Sequence, residues 1–200
     1  FILSSLLGKV LNHASFYKQK ESGRNIIQVY SNGGIGLLIC IYNYFHPDPI
    51  NFLLFLSSTS AAMSDTWGTE FGKLSKNKPI SIITFKKINH GLSGGITQIG
   101  TLGSLLGSCF IGAVGWFLNF QSPFLIYGII FSGFSAALFD SILGGSIQAK
   151  YENTIGEVIE KNEIGNKIIS GKAWMTNDLV NLINTATAPL IMYMIIVISK

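Results

Sequence analysis

The chain has 200 residues, of which 48% are hydrophobic and only 12% charged, with a net charge of +4 and a mean hydropathy of +0.43. Soluble domains carry about 25% charged residues, so this composition excludes an ordinary soluble protein and places the chain in a bilayer. The charge is small and confined to segments between apolar runs, which gives no surface for nucleic acid.

The length allows five or six spans of roughly 20 residues with no separate soluble domain, so residues 1–200 are expected to form a single integral-membrane domain. FILSSLLGKVL, from Phe1 to Leu11, reads as the tail of an apolar segment with no basic region before it. The expectation is therefore the end of a truncated N-terminal helix whose upstream helices are missing, rather than a signal peptide. Five spans follow, at about 29–45, 50–71, 96–120, 124–148 and 177–199, making an all-α, polytopic transmembrane helix bundle. HPDP at His46 to Pro49 and QSP at Gln121 to Pro123 are tight turns. The other connections, Lys9 to Gln28, Gly72 to Gly95 and Ala149 to Thr176, are long and polar. Strict alternation puts these three on one face of the membrane, together with every basic residue except Lys200. The positive-inside rule makes that the cytoplasmic face or its organellar equivalent. Cys40 and Cys109 sit in apolar runs without metal-type spacing and read as small buried residues.

Polar residues within the spans gather toward the basic side. In the second span, AAMSDTWGTEFG carries Asp65 and Glu70 near its basic-side end. Asp140, in FDSILGG, lies about 12 Å of helix rise before the basic-side end of the fourth. Asn32, Gly33 and Gly34 open the first span, Gly94 and Gly95 lead into the third, and Asn177, Asp178 and Asn181 open the fifth. The far halves hold almost nothing ionisable. Together this describes a one-sided pocket at the membrane surface rather than a path across it.

Helix polarity gives that pocket its chemistry. The first, third and fifth spans begin on the basic side, so their free N–H groups and positive dipole ends favour an anion such as phosphate there. The paired glycines would let backbone approach that anion or form a nest around it. The second and fourth spans end on the basic side, where Asp65, Glu70 and Asp140 meet negative dipole ends in poorly hydrated surroundings. A divalent cation relieves both costs, and Mg²⁺ suits a site shared with phosphates because it takes one or two carboxylates and keeps substrate oxygens.

Each feature also has a plainer account. Asp65 and Asp140 could pair helices or stay neutral, Glu70 could face water at the interface, and Asn177 or Asp178 could cap the fifth helix. Gly103 and Gly107 form a GxxxG whose simplest role is close helix packing, and the lysines could serve topology alone. No Walker loop, zinc pattern or nucleophile elbow is present.

GRNIIQVYSNGG, AAMSDTWGTEFG, GLSGGITQIGTLGSLLG, FDSILGGSIQ and NDLVNLINT, in that order, resemble the integral-membrane family labelled domain of unknown function 92. This is the family of animal transmembrane protein 19 and the plant phytyl-phosphate kinase. The resemblance implies a nucleotide-dependent kinase that phosphorylates a polyprenyl or phytyl phosphate at the cytoplasmic face, with CTP as the expected donor and an isoprenoid lipid as acceptor. In that picture Asp65 and Asp140 hold Mg²⁺ with Glu70 second to them, and Asn32, Gly33, Gly34, Gly94 and Gly95 line the phosphates. Asn177, Asp178 and Asn181 complete the rim, while Lys86 and Lys87 offset repulsion between anions. The competing readings are a transporter or ion exchanger using the same acids, and a non-catalytic membrane protein.

Overall fold

The computed structural model describes residues 7–11, 15, 25–118 and 122–199. The expected N-terminal helix and first connection therefore fall largely outside the described residues, as do Lys18, Lys20, Arg24, Gln121 and Lys200. Five long helices make the bundle: α1 (Ile26–Phe45), α2 (Pro49–Gly72), α3 (Gln98–Phe117), α4 (Pro123–Ser146) and α5 (Asn177–Ile198). Four of them are long and apolar enough to cross a membrane. The exception, α2, has the length, at 24 residues, but is too polar because it is the helix at the centre.

Local chemistry sets the helix starts. Asn25 and Gln28 form a capping box: Asn25 Oδ1 accepts from Gln28 N at 2.8 Å, and Gln28 Oε1 accepts from Asn25 N at 3.2 Å. That starts α1 at Ile26 rather than near residue 29. Asp48 caps α2 ahead of Pro49, Thr97 caps α3 through Gly100 N, and Pro123 occupies the first turn of α4. Thr176 caps α5 by accepting from Leu179 N, so neither Asn177 nor Asp178 is the cap.

The center, α2, packs against all four other helices. It does so with small side chains: Ser57, Ser58, Ser60, Ala61 and Ser64 are all buried. Glycines on the neighbours bring backbones into contact with it. A Cβ on Gly107 would lie 2.7 Å from Met63 O, and one on Gly103 2.7 Å from Trp67 O, which gives the GxxxG its packing role. Ser64 Oγ adds a hydrogen bond to Ser104 O at 2.8 Å.

Large apolar side chains fill the far half of the bundle, where Leu53, Leu56, Ile111, Ile126, Ile129, Met192 and Ile196 cluster with Met63. Toward the basic end the filling changes to alanine, serine and asparagine. α1 is peripheral: Ser31 and Gly36 are its buried residues, and Leu37, Leu38 and Ile41 are exposed where lipid would cover them.

The two described long connections carry small sheets that the sequence reading treated as polar loops. In the first, β1 (Ile80–Ser81) pairs antiparallel with β2 (Gly95–Ile96). In the second, β3 (Lys150–Glu152) lies between β4 (Val158–Ile159) and β5 (Lys167–Ser170), both antiparallel to it. Strands of two to four residues are too short to show an alternating pattern. The molecule is thus a helical bundle with a small β-structured cover at its basic end.

Candidate functional site

The site follows from helix registration. Ala61 of α2, Ala136 of α4 and Ala188 of α5 are buried against one another, small enough to let three helices meet. One turn closer to the basic end stand Asp65 (61+4), Asp140 (136+4) and Asn184 (188−4), on the same faces of those helices. The charges of Asp65 and Glu160 both act on Asp140. Asp65 and Asp140 are half-buried, and Asp140 Oδ2 is enclosed with no hydrogen-bond partner. Asn184 is fully buried, and neither Nδ2 nor Oδ1 has a partner. Asn181, one turn nearer the basic end, is 9% exposed. Pro189 lies inside α5 and has no N–H to give the Thr185 carbonyl, so the backbone is loosened at the same level. Thr185 Oγ1 ties this part of α5 to α1 through Ser31 O at 3.2 Å.

A cover closes the site from the basic side. Glu160, from the second connection, accepts from Ser93 N at 2.5 Å and Ser93 Oγ at 2.8 Å. Gln148 Nε2 donates to Glu160 Oε2 at 2.9 Å and to Ser93 Oγ at 3.0 Å, and Lys150 Nζ donates to Ser93 O at 3.1 Å. Burial pushes the Glu160 carboxyl above the ordinary carboxylate range, against the opposing pull of the Ser93 bonds, Lys150 and Gln148.

Several sequence-derived site residues stand elsewhere than expected. Because α1 starts at Ile26, Asn32, Gly33 and Gly34 lie in its second turn and beyond, with helical hydrogen bonding and no nest. Asn32 Nδ2 donates to Gln28 O at 3.0 Å, and Asn32 Oδ1 is buried without a partner. A Cβ on Gly33 or Gly34 would touch nothing within 4 Å. Asn32, Gly33 and Gly36 instead border a cavity of about 220 Å³ between α1 and α2, opposite Ser58, Thr59 and Thr66.

Gly94 (φ 83°) and Gly95 precede the α3 cap rather than forming its N-terminus, and their neighbours are protein. A Cβ on Gly94 would lie 2.3 Å from Gly145 Cα, and one on Gly95 2.9 Å from Ile88 and Pro79 side chains. The glycine pair therefore seats the cover on the end of α4. Glu70 is engaged by Lys73 at 2.8 Å across one helical turn. Lys86 and Lys87 are exposed on the connection between α2 and α3, and Asn177 is exposed at the start of α5 with Asp178 half-buried beside it.

Asn184, Glu160, Ser93, Gln148 and Lys150 were not singled out from the sequence. Asn184 had a readable signal, since Asn177, Asn181 and Asn184 fall on one face at i, i+4 and i+7. Glu160 had none, because it is one acid among several in a polar segment.

A profile of the family described as integral membrane protein DUF92 matches residues 1–189. The uncharacterized membrane protein MJ0933 of Methanocaldococcus jannaschii is 35% identical over 153 residues, covering 75% of this chain and 63% of the archaeal protein. Protein VTE6, chloroplastic, of Arabidopsis thaliana is 31% identical over 137 residues, covering 68% of this chain and 35% of that protein. Protein PGR of the same plant is 26% identical, covering 82% of this chain and 67% of PGR. The chain thus spans less than two thirds of the length of the first two relatives. No solved structure matches it. With four apolar helices packed around the more polar α2 and the profile match running over nearly its whole length, the chain belongs to the DUF92 family of integral membrane proteins.

Proposed function

We propose that this protein is a lipid kinase that transfers the terminal phosphoryl group of a nucleoside triphosphate, CTP by family resemblance, to an isoprenoid monophosphate at the basic face. The donor would leave as a nucleoside diphosphate and the acceptor as an isoprenoid diphosphate. The observation that carries this reading is the convergence of Asp65 and Asp140 from separate helices, one turn beyond the alanine contact and toward that face. Two half-buried carboxylates close enough to act on one another repel, and a cation held between them relieves that repulsion.

The donor set suits Mg²⁺: hard oxygen ligands, one of them the unpartnered Asp140 Oδ2. Asp65 and Asp140 would hold the ion, which when bound neutralises charge on phosphoryl oxygens. Phosphoryl transfer asks chiefly for positioning and charge neutralisation. Lys150 beside Ser93, with Lys86 and Lys87 exposed on the same side, would draw the anionic donor. An acceptor that is already a phosphate needs no general base. Its hydrocarbon chain would lie in the groove between α1 and α2, whose lining is mostly apolar and where Gly33 leaves space.

The transporter reading needs polar groups leading to the second face, and those at that end are engaged in a turn. Asn43 Oδ1 accepts from Asp48 N and Asn51 Nδ2, while Asp48 Oδ1 caps α2. The depression of about 430 Å³ beside that turn is bordered by Tyr42, Phe45, His46, Pro47, Asp48 and Asn51, with no buried acid. The test is a phosphotransfer assay of the purified full-length protein with Mg²⁺, each nucleoside triphosphate, and phytyl, farnesyl, geranylgeranyl and dolichyl alcohols and monophosphates. Diphosphate formation from a monophosphate is expected; Asp65-dependent solute flux in vesicles without any lipid phosphorylation would give the reading to transport.

A further inference from the structure

Asn184 is the least explained side chain in the described structure. It is fully buried, its amide offers two donors and an acceptor, and neither Nδ2 nor Oδ1 is partnered. An enclosed amide with no hydrogen bond is a destabilising choice at a position where leucine or alanine would pack. Ser57, Ser64 and Thr185 nearby each bond a backbone carbonyl; the Ser60 hydroxyl is also unpartnered, but Asn184 leaves both ends of an amide without a bond. Asn184 therefore lacks its partner rather than lacking a need for one.

Its surroundings identify the missing partner by chemistry. Ala188, one turn away on the same face of α5, contacts Ala61 and Ala136. Stepping one turn toward the basic end on all three helices brings Asn184 to the level of Asp65 and Asp140. Asp140 Oδ2 is likewise buried and unpartnered. Three oxygen-bearing side chains from three helices thus stand one turn beyond the same alanine contact, at least two of them with an unused buried oxygen. Two carboxylates and a carboxamide oxygen are the donor set that a hard divalent cation takes.

We infer that Asn184 is the third protein ligand of a divalent cation held between Asp65 and Asp140, coordinating through Oδ1. Nδ2 is then left to donate to an oxygen of the anion that completes the coordination shell. This inference rests on the proposed cation site but adds a neutral ligand, which holds the ion without adding a third negative charge to a poorly hydrated layer. That keeps the net charge of the site at zero before the anion enters, whereas an aspartate there would repel it.

The test uses the full chain in lipid nanodiscs with Mn²⁺ as the probe, followed by electron paramagnetic resonance, and thermal unfolding in chelator and in Mn²⁺. Wild type is expected to bind Mn²⁺, and Asn184→Ala to weaken binding by roughly tenfold or more. Asn184→Asp should restore it, because it returns an oxygen ligand. In chelator, Asn184→Ala should melt no lower than wild type, since no hydrogen bond is lost, while its Mn²⁺-induced rise in melting temperature disappears. If Asn184→Ala binds Mn²⁺ as wild type does while Asp65→Asn and Asp140→Asn do not, the ligand role of Asn184 is overturned and the two-carboxylate site stands. A lower melting temperature in chelator with unchanged Mn²⁺ binding makes Asn184 structural and overturns it equally. Absence of Mn²⁺ binding by wild type overturns both this inference and the proposed cation site.

Discussion

Asp65 and Asp140 sit one turn beyond the alanines at which α2, α4 and α5 touch, so each projects where the helices begin to leave room. Neither forms a salt bridge among the described residues, where the acid paired with a lysine is Glu70, held by Lys73. That distinction separates the acids by role. Glu70→Gln removes an ion pair near the helix end and is expected to cost about 1 kcal/mol of stability or less while leaving most phosphotransfer activity, as measured by urea unfolding and initial rates. Glu160 behaves differently because burial raises its carboxyl above the ordinary value near 4.5. The native state holds this proton more tightly than the unfolded chain, so the group's contribution to stability is greatest in acid. It declines as pH rises from about its ordinary value through the raised native value. The melting temperature of wild type, compared with that of Glu160→Gln across pH 4 to 8, should fall relative to the variant as pH rises. A relative gain with rising pH would show that the carboxylate is stabilised rather than penalised by its surroundings.

At the scale of helices, the seam between α2 and α3 depends on missing side chains. Gly103 and Gly107 face Trp67 O and Met63 O, and Gly68 faces Ser104. Gly107→Leu must push the two backbones apart and is expected to cost about 1–3 kcal/mol, read from unfolding in detergent. Gly33→Leu is the contrasting case, because a Cβ there meets nothing. It should leave stability unchanged or raise it by up to about 1 kcal/mol through helix propensity. By partly filling the α1–α2 groove it should also raise KM for the lipid with little change in kcat. The five helices were legible in the sequence because their apolar runs are long and their polar residues asymmetric. Their starts were less so: Asn25 and Gln28 make a capping box outside the apolar run, which places NGG in the helix interior rather than at its end. The short strands were not legible, since β3 is defined by its partners on either side rather than by its own three residues.

For the whole molecule, polarity is distributed by depth. Leucine, isoleucine and methionine pack the far half, small residues pack the middle, and the candidate site and its cover occupy the basic end. Asp65 and Asp140 were readable because acids are conspicuous in apolar spans. Asn184 became distinctive only once its burial was known, and the cover could not be foreseen because Glu160 and Ser93 lie 67 residues apart in sequence. In a chain lacking Cys40 and Cys109, cysteines replacing Lys86 and Lys161 should react with an impermeant maleimide from the same side of sealed vesicles, and a cysteine replacing His46 from the other. The central claim is that Asp65 and Asp140 together support Mg²⁺-dependent phosphoryl transfer to an isoprenoid phosphate. Its most direct test measures diphosphate formation by wild type, Asp65→Asn and Asp140→Asn, each first shown to insert and fold. The account predicts Mg²⁺-dependent turnover in wild type and a loss of roughly a hundredfold or more in each variant; undiminished turnover in both would contradict it.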